Sequence, residues 1–316
     1  MATAAIIVQL MAGPKQGALT VRPPAVAGRF YPAEAQACRA HAESYVNGAG
    51  AARSDADSGR NWIGGIVPHA GWICSGAIAV RTIAALAAAQ QGRTVDVVVV
   101  FGAVHSAAPL DVAALDSHAR WDVPGGPSDL PEALERRLIQ SSADLFRVDE
   151  RFHETEHAIE VEIPLIQVPW PNAMVLPVEV PALEDAAEIG IATAKAIEDA
   201  GQSAVFLASS DLTHYGPGYR FTPAGIGLAG LDWAKSNDRR MLELVTEMAV
   251  DRIVPEAHNR LNACGSGAIA AMLAACRERG ASGGLILRHA NSFETLAEVA
   301  PHGPENAVGY ASVVIG

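Results

Sequence analysis

The chain has 316 residues, of which 50% are hydrophobic, and its 23 basic and 35 acidic side chains give a formal charge of −12. A chain of this length buries a large core, and α/β domains of this size commonly form one unit. We therefore expect a loose leader at residues 1–20 and a single α/β domain over residues 21–316. The negative charge leaves no cationic surface for a phosphate backbone, which argues against nucleic acid as a partner.

The four cysteines, Cys38, Cys74, Cys264 and Cys276, are widely spaced and form no CxxC pair. This usage is typical of a reducing compartment rather than of a disulfide-stabilised secreted domain. The apolar stretch from Ile6 to Ala12 is too short for a spanning helix, and no basic residue precedes it. We expect a cytoplasmic protein with no signal peptide and no membrane partner.

Apolar, β-branched runs alternate with helical stretches, which predicts an α/β fold with a largely parallel or mixed central sheet flanked by helices. The predicted strands are Ile63–Val67, Val95–Phe101, Ala173–Val180, Ala204–Ser209, Gly284–Leu287 and Val308–Ile315. The predicted helices are Ser75–Gln90, Leu130–Ser141, Leu183–Ala200, Leu231–Ala249 and Ser266–Arg279. Two segments rich in small or turn-forming residues predict loops, Asn47–Arg60 and Pro217–Gly230.

The helix predicted at Ser266–Arg279 carries the clearest amphipathic pattern. Ile269, Met272, Leu273 and Cys276 recur at helical spacing and form one apolar stripe. We therefore expect Cys276 to lie in the core.

Three histidines follow predicted strands closely. His69 comes after Ile63–Val67, His105 after Val95–Phe101, and His214 after Ala204–Ser209. A single histidine is more often structural, but in parallel sheets the carboxyl ends of the strands meet at one edge, where ligands bind. Neutral imidazoles gathered there are suited to one transition-metal ion.

Cys264 is the third candidate ligand, since it stands directly before the helix predicted from Ser266. The positive end of the helix dipole lowers the pKa of a thiol and favours the thiolate that binds metal. We therefore expect a lowered pKa for Cys264. The alternative is a small buried residue at a helix start.

Five segments appear in an order that resembles the Memo family, whose prokaryotic members are named AmmeMemoRadiSam system protein B. They run from about residue 22 to the C-terminus, and no single one is decisive. The segments are Arg22–Pro32, Pro68–Trp72, Glu156–Glu160, Ser209–Gly216 and Ala263–Gly265.

The resemblance implies a fold similar to class III extradiol dioxygenases, with two histidines and a cysteine as metal ligands. Carried over by motif, these are His69, His105 and Cys264. It also implies iron or copper binding and redox chemistry of a dioxygenase-like kind. From the donor set we favour iron, with copper or zinc as alternatives, and we expect the ligand to be a small molecule or a peptide. The family label implies a functional link to radical SAM and AMMECR-type proteins. The family commonly has Gly-Pro-Ser-His at the second histidine, whereas this chain has Gly-Ala-Val-His at 102–105.

Asp211, His214 and His157 are the candidate catalytic residues. A histidine near a metal can move a proton, and an aspartate can orient a ligand imidazole. Structural roles for Asp211 and His214 are equally compatible with the sequence. Glu160, which follows His157 on the same segment, is interpreted as facing the site. The predicted rim also includes Trp72 and Tyr215.

Two competing interpretations remain. Residues 153–157 read His-Glu-Thr-Glu-His, the HExxH pattern of zinc proteases, although Pro164 follows too soon for an uninterrupted active-site helix. In the other interpretation, the same pocket binds a peptide or partner protein without catalysis.

Overall fold

A computed structural model describes residues 20–49 and 60–316. The predicted leader at 1–20 lies outside the described residues except for Thr20, as does most of the predicted loop Asn47–Arg60. The strands are β1 Val21–Arg22, β2 Gly64–Val67, β3 Val97–Ala103, β4 Ala113–Leu115, β5 Arg120–Val123, β6 Gly126–Asp129, β7 Phe146–Val148, β8 Met174–Val180, β9 Ala204–Ser209, β10 His214–Tyr215, β11 Gly284–Asn291 and β12 Ala307–Ile315. The helices are α1 Ala35–Gly48, α2 Trp72–Ala89, α3 Glu132–Ser141, α4 Ile163–Ile166, α5 Ala186–Asp199, α6 Leu228–Thr246, α7 Val250–Arg260, α8 Ser266–Glu278 and α9 Ser292–Thr295.

Nine strands of the described chain form one sheet in the order β10-β12-β2-β9-β3-β8-β4-β7, with β11 paired to β12. The four central strands β2, β9, β3 and β8 are parallel, whereas β12 and β4 flank them in antiparallel pairs. The predicted mixed sheet is therefore confirmed. Because Val67 pairs with Ser209 and Phe101 with Ala208, the loops after β2, β9 and β3 begin at the same edge.

Helices cover both faces of this sheet. On β3, Val97, Val99 and Phe101 contribute to the core under α5 to α8, whereas Val98 and Val100 contribute to the core under α1 and α2. A strand buried on both faces needs a continuous apolar run, and Val97–Phe101 supplies it. A separate three-stranded sheet, β1-β5-β6, lies beside this assembly.

Helix α8 is buried around its whole circumference from Ser266 to Cys276. The predicted apolar stripe is in the core, as expected, but small residues bury the other side of the helix as well. Helix α5 lies so close to it that a Cβ on Gly190 would overlap the backbone of Ala271. Cys276 is fully buried against the sulfur of Met272 at 3.7 Å, which confirms its core assignment.

Helix α2 has the length and composition of a membrane span, with a mean hydropathy of 1.6 over its 18 residues. In the structure 61% of this helix is buried, and it packs against α1, β2 and β12. Its apolar composition is therefore explained by a position in the core of the fold.

Candidate metal centre

Three imidazole rings meet at the carboxyl edge of the parallel strands. His69 follows β2, His105 follows β3, and His157 comes from the segment before α4. The ring centroids of His69 lie 5.1 Å from His105 and 5.3 Å from His157, and those of His105 and His157 lie 4.5 Å apart. One ligand atom from each ring lies within 4.8 Å of the others, so these three residues form a group able to hold a metal ion.

The tautomer of His69 follows from its hydrogen bonds. Ser209 Oγ donates to the carbonyl of Ala158 at 2.5 Å, so it accepts from His69 Nδ1 at 2.8 Å. The Nε2 atom of His69 is therefore unprotonated and available as a ligand. The His69 backbone N–H donates to Asp211 Oδ1 at 2.9 Å, which fixes the loop. Burial, and then the neighbouring His105, holds the pKa of His69 well below its usual value and keeps the ring neutral.

Cys264 lies beside that free nitrogen, with its Sγ 3.3 Å from His69 Nε2. The Asp211 backbone N–H donates to the same sulfur at 3.2 Å. Burial raises the pKa of the Cys264 thiol, and the nearby Asp211 carboxylate raises it further. The lowered pKa expected from the start of α8 is therefore wrong, because desolvation outweighs the helix dipole at this position.

Glu156 orients the other two histidines, a role that the sequence interpretation missed. Its carboxylate accepts from the backbone N–H and the Nδ1 of His105 at 2.8 and 2.9 Å. It also accepts from the backbone of His157 at 2.8 Å and lies 3.1 Å from His157 Nδ1. Since a carboxylate only accepts, each ring donates from Nδ1 and leaves Nε2 free. Its position directly before His157, in the family-like segment Glu156–Glu160, is the sequence feature that could have indicated this role.

The charges of this group are coupled. Burial alone would raise the pKa of Glu156, but hydrogen bonds from His105 and His157 outweigh burial and hold that pKa well below its usual value. Burial lowers the pKa of His105, but the hydrogen bond to Glu156 and the charge of that carboxylate outweigh burial. The pKa of His105 is therefore raised above its usual value. The carboxylate therefore stays ionised and favours the protonated form of His105 in the metal-free protein.

Asp211 and His214 also lie at this edge. Burial raises the pKa of Asp211 to about 7, against the lowering effect of the His69 backbone hydrogen bond. The Nδ1 atom of His214 lies 3.2 Å from the Leu212 carbonyl oxygen. The His214 ring contacts that of Tyr219, with the two ring centroids 5.1 Å apart. Burial lowers the pKa of His214. Both residues therefore border the cluster without belonging to the three-histidine group.

Trp72 and Tyr215 do not form the predicted rim. Both side chains are buried. Their polar atoms bind backbone, because Trp72 Nε1 donates to the Val161 carbonyl and the Tyr215 hydroxyl donates to the Gly227 carbonyl. Tyr219, which is 46% exposed, takes the place expected for Tyr215.

Glu160 does not face the site, and its predicted role there is wrong. Its carboxylate accepts from Arg22 Nη1 at 2.7 Å, from the Tyr31 hydroxyl at 2.8 Å and from the backbone of Ala25 and Val26. Arg22 and Glu160 are 1% and 0% exposed. Glu160 therefore anchors the segment after β1 to the body of the fold.

The zinc-protease interpretation of residues 153–157 is also wrong. This pattern needs a helix that places both histidines on one face. Here Glu150–Phe152 forms a short 3-10 helix, and the segment from 153 to 159 contains turns, bends and irregular backbone but no helix. His153 is fully buried with Nε2 3.1 Å from the Ala114 carbonyl, and Glu154 is exposed.

The donor atoms fit the size of a metal site. Nitrogen and sulfur ligands at ~2.0 and ~2.3 Å from one tetrahedral ion lie ~3.5 Å apart. The 3.3 Å between His69 Nε2 and Cys264 Sγ is close to that separation. The ligand atoms of the three histidines lie within 4.8 Å of one another.

Comparison with known proteins assigns the chain to a family. A sequence profile described as "Memo-like protein" matches residues 22–314. The chain belongs to the Memo-like protein family. MEMO1 family proteins of Methanococcoides burtonii and Methanothermobacter thermautotrophicus are 30% and 31% identical to it over 299 and 297 residues. These alignments cover 93% and 92% of this Memo-like chain and 100% and 99% of those relatives.

Among solved structures, an uncharacterized protein of Escherichia coli K12 is similar with a TM-score of 0.41 and 14% identity. The match covers 70% of this chain and 85% of that one.

Proposed function

We propose that this Memo-like protein is a metal-dependent oxidoreductase that acts on a small molecule and holds its metal through His69, His105 and Cys264. The observation that carries the proposal is the 3.3 Å approach of Cys264 Sγ to the unprotonated Nε2 of His69 beside a second imidazole. Two imidazoles and a sulfur form a donor set suited to iron, copper or zinc. Iron is the metal we favour, and family membership is consistent with this choice.

A bound iron or copper ion would supply Lewis acidity and one-electron chemistry. The protein residues have three tasks. Ser209 and Glu156 hold His69 and His105 in the tautomers that present Nε2. Asp211, with a pKa raised to about 7 by burial, holds or releases a proton at the carboxylate next to the site. His157 and His214 offer further imidazoles for proton transfer at the rim.

A second ligand set competes with the first. His157 joins His69 and His105 in the group whose ligand atoms lie within 4.8 Å, and its Nδ1 is directed at Glu156 in the same manner as that of His105. In this arrangement Cys264 remains a neutral thiol, which its raised pKa favours. The two sets differ only in whether sulfur or a third nitrogen binds.

Metal analysis of single variants separates these possibilities. We expect about one metal ion per chain, a large loss of metal in His69→Ala, and a larger loss in Cys264→Ser than in His157→Ala. His258→Ala, which removes an exposed imidazole from α7, is the matched control. Full metal content in His69→Ala and Cys264→Ser together would overturn the proposed site. A larger loss in His157→Ala than in Cys264→Ser would favour the three-histidine set.

A further inference from the structure

The segment after β1 brings one aromatic ring to the histidine cluster. Phe30 is half-buried, and its ring centroid lies 4.8 Å from that of His157. Its carbonyl accepts from the Trp72 backbone N–H at 2.8 Å, which joins this segment to the start of α2 three residues after His69. Phe30 therefore forms part of the wall around the site.

The turn that carries Phe30 is held tightly. The Gly28 N–H donates to the Tyr31 carbonyl at 2.7 Å, and the N–H groups of Arg29 and Phe30 both donate to the Val26 carbonyl at 3.0 Å. Gly28 has a φ of +81°, a conformation that favours glycine. Together with the contacts to Glu160 described above, these bonds fix the backbone of the turn before any ligand arrives.

Arg29 is the side chain that this turn exposes next to Phe30. Its guanidinium carbon lies 5.8 Å from the Phe30 ring centroid. The other arginine of the segment, Arg22, is buried and paired with Glu160. Among the described residues no carboxylate lies within salt-bridge distance of Arg29, and the nearby Glu34 accepts from the backbone of α1 instead.

The net charge of the protein bears on what Arg29 can bind. A chain of net charge −12 repels anions at long range, so an anionic ligand needs a local cation. Tyr219 adds a second aromatic face at the same edge, over His214. Aromatic faces near an exposed guanidinium match a planar ligand with an acidic group.

We propose that Arg29 selects the ligand of this site, a small aromatic carboxylate, by pairing with its carboxylate while the ring packs against Phe30. The inference rests on the proposed function in that the ligand occupies the space beside the metal centre. Arg29 acts as a specificity-determining residue, and the hydrogen-bonded turn holds its backbone beside Phe30.

Binding of benzoate and of benzamide to the zinc-loaded protein tests this assignment, because the two probes share size and shape but differ in charge. Calorimetry or ligand-observed NMR should give tighter binding of benzoate in the unmodified protein. Arg29→Ala should weaken benzoate binding about tenfold, the loss expected for one charge-assisted contact, and leave benzamide unchanged. Arg29→Lys should restore part of the preference, and Phe30→Leu should weaken both probes.

Arg252→Ala, an equal change of charge on an exposed position of α7, is the control and should leave both affinities unchanged. The proposal is overturned if the unmodified protein shows no preference for benzoate, or if Arg29→Ala affects both probes equally. It is also overturned if benzoate binding depends on zinc alone and not on Arg29. Zinc content measured on the same samples and a repeat on the metal-free protein keep a failure of metal binding distinct from a failure of Arg29.

Discussion

Glu156 and Glu160 lie four residues apart on one segment, and both are buried acceptors of several hydrogen bonds. Glu156 faces the histidine cluster and orients His105 and His157. Glu160 faces away from it and fixes Arg22 and the turn that carries Phe30. Glu156 therefore orients the histidines of the site, whereas Glu160 positions the turn that lies beside them. Closeness in sequence does not predict a shared role.

The largest effect on stability is expected at Glu160, which holds the turn beside the site. Glu160→Gln leaves the buried guanidinium of Arg22 without a carboxylate, so the free energy of unfolding should fall by about 3–5 kcal/mol. Chemical denaturation measures it. Glu132→Gln, which breaks the exposed pair with Arg136, should cost at most about 0.5 kcal/mol. A loss of similar size in both variants would mean that Glu160 does not anchor the segment.

The pH dependence of stability should report on Asp211. Its folded pKa of about 7 lies above the unfolded value of 3.8, so the folded state binds the extra proton between these limits. This group therefore stabilises the metal-free protein fully below about pH 4, and its contribution, on the order of a few kcal/mol, is lost as the pH rises to about 7.

Asp211→Asn keeps the acceptor for the His69 N–H but cannot titrate. Its unfolding free energy should therefore decline less between pH 4 and 7 than that of the unmodified protein, measured by denaturation at each pH. Parallel profiles for the two proteins would contradict the raised pKa.

Glu156→Gln should weaken metal binding about 10–100-fold, because His105 and His157 lose the carboxylate that fixes their orientation. The dissociation constant for zinc, measured by competition with a chelator, gives the result. Glu160→Gln should change this constant less than Glu156→Gln does, provided that the variant is folded. The reverse order would exchange the roles assigned to the two glutamates.

The smallest effect is expected at Glu154, the exposed glutamate that follows His153 in the HExxH pattern. Since Glu154 does not face the cluster, Glu154→Gln should leave metal affinity unchanged and stability within about 0.5 kcal/mol. A loss of metal in this variant would contradict the position of Glu154 outside the cluster.

Local patterns were sufficient to predict the central strands and the placement of His69 and His105, because apolar runs and topology determine which residues meet at a parallel edge. They were insufficient for Glu156 and Glu160, whose partners His105 and Arg22 lie 51 and 138 residues away. The raised pKa of Cys264 arises from tertiary burial, which a helix-start rule cannot include.

The two longest of the helices that the sequence patterns did not predict, α1 and α7, have local explanations. Helix α7 contains Pro255 in its interior, which argues against a helix at the sequence level. Helix α1 is largely polar, but Cys38, Ala42 and Val46 are buried at a spacing of four, a signal that was available.

Anomalous diffraction from crystals grown in metal-replete medium tests the central claim most directly. We expect one strong peak within about 2.4 Å of His69 Nε2, His105 Nε2 and either Cys264 Sγ or His157 Nε2, at the absorption edge of iron, copper or zinc. A metal peak within bonding distance of Cys264 Sγ would support the set with Cys264. The absence of any peak at the histidine cluster, or a metal bound only elsewhere, would contradict the account.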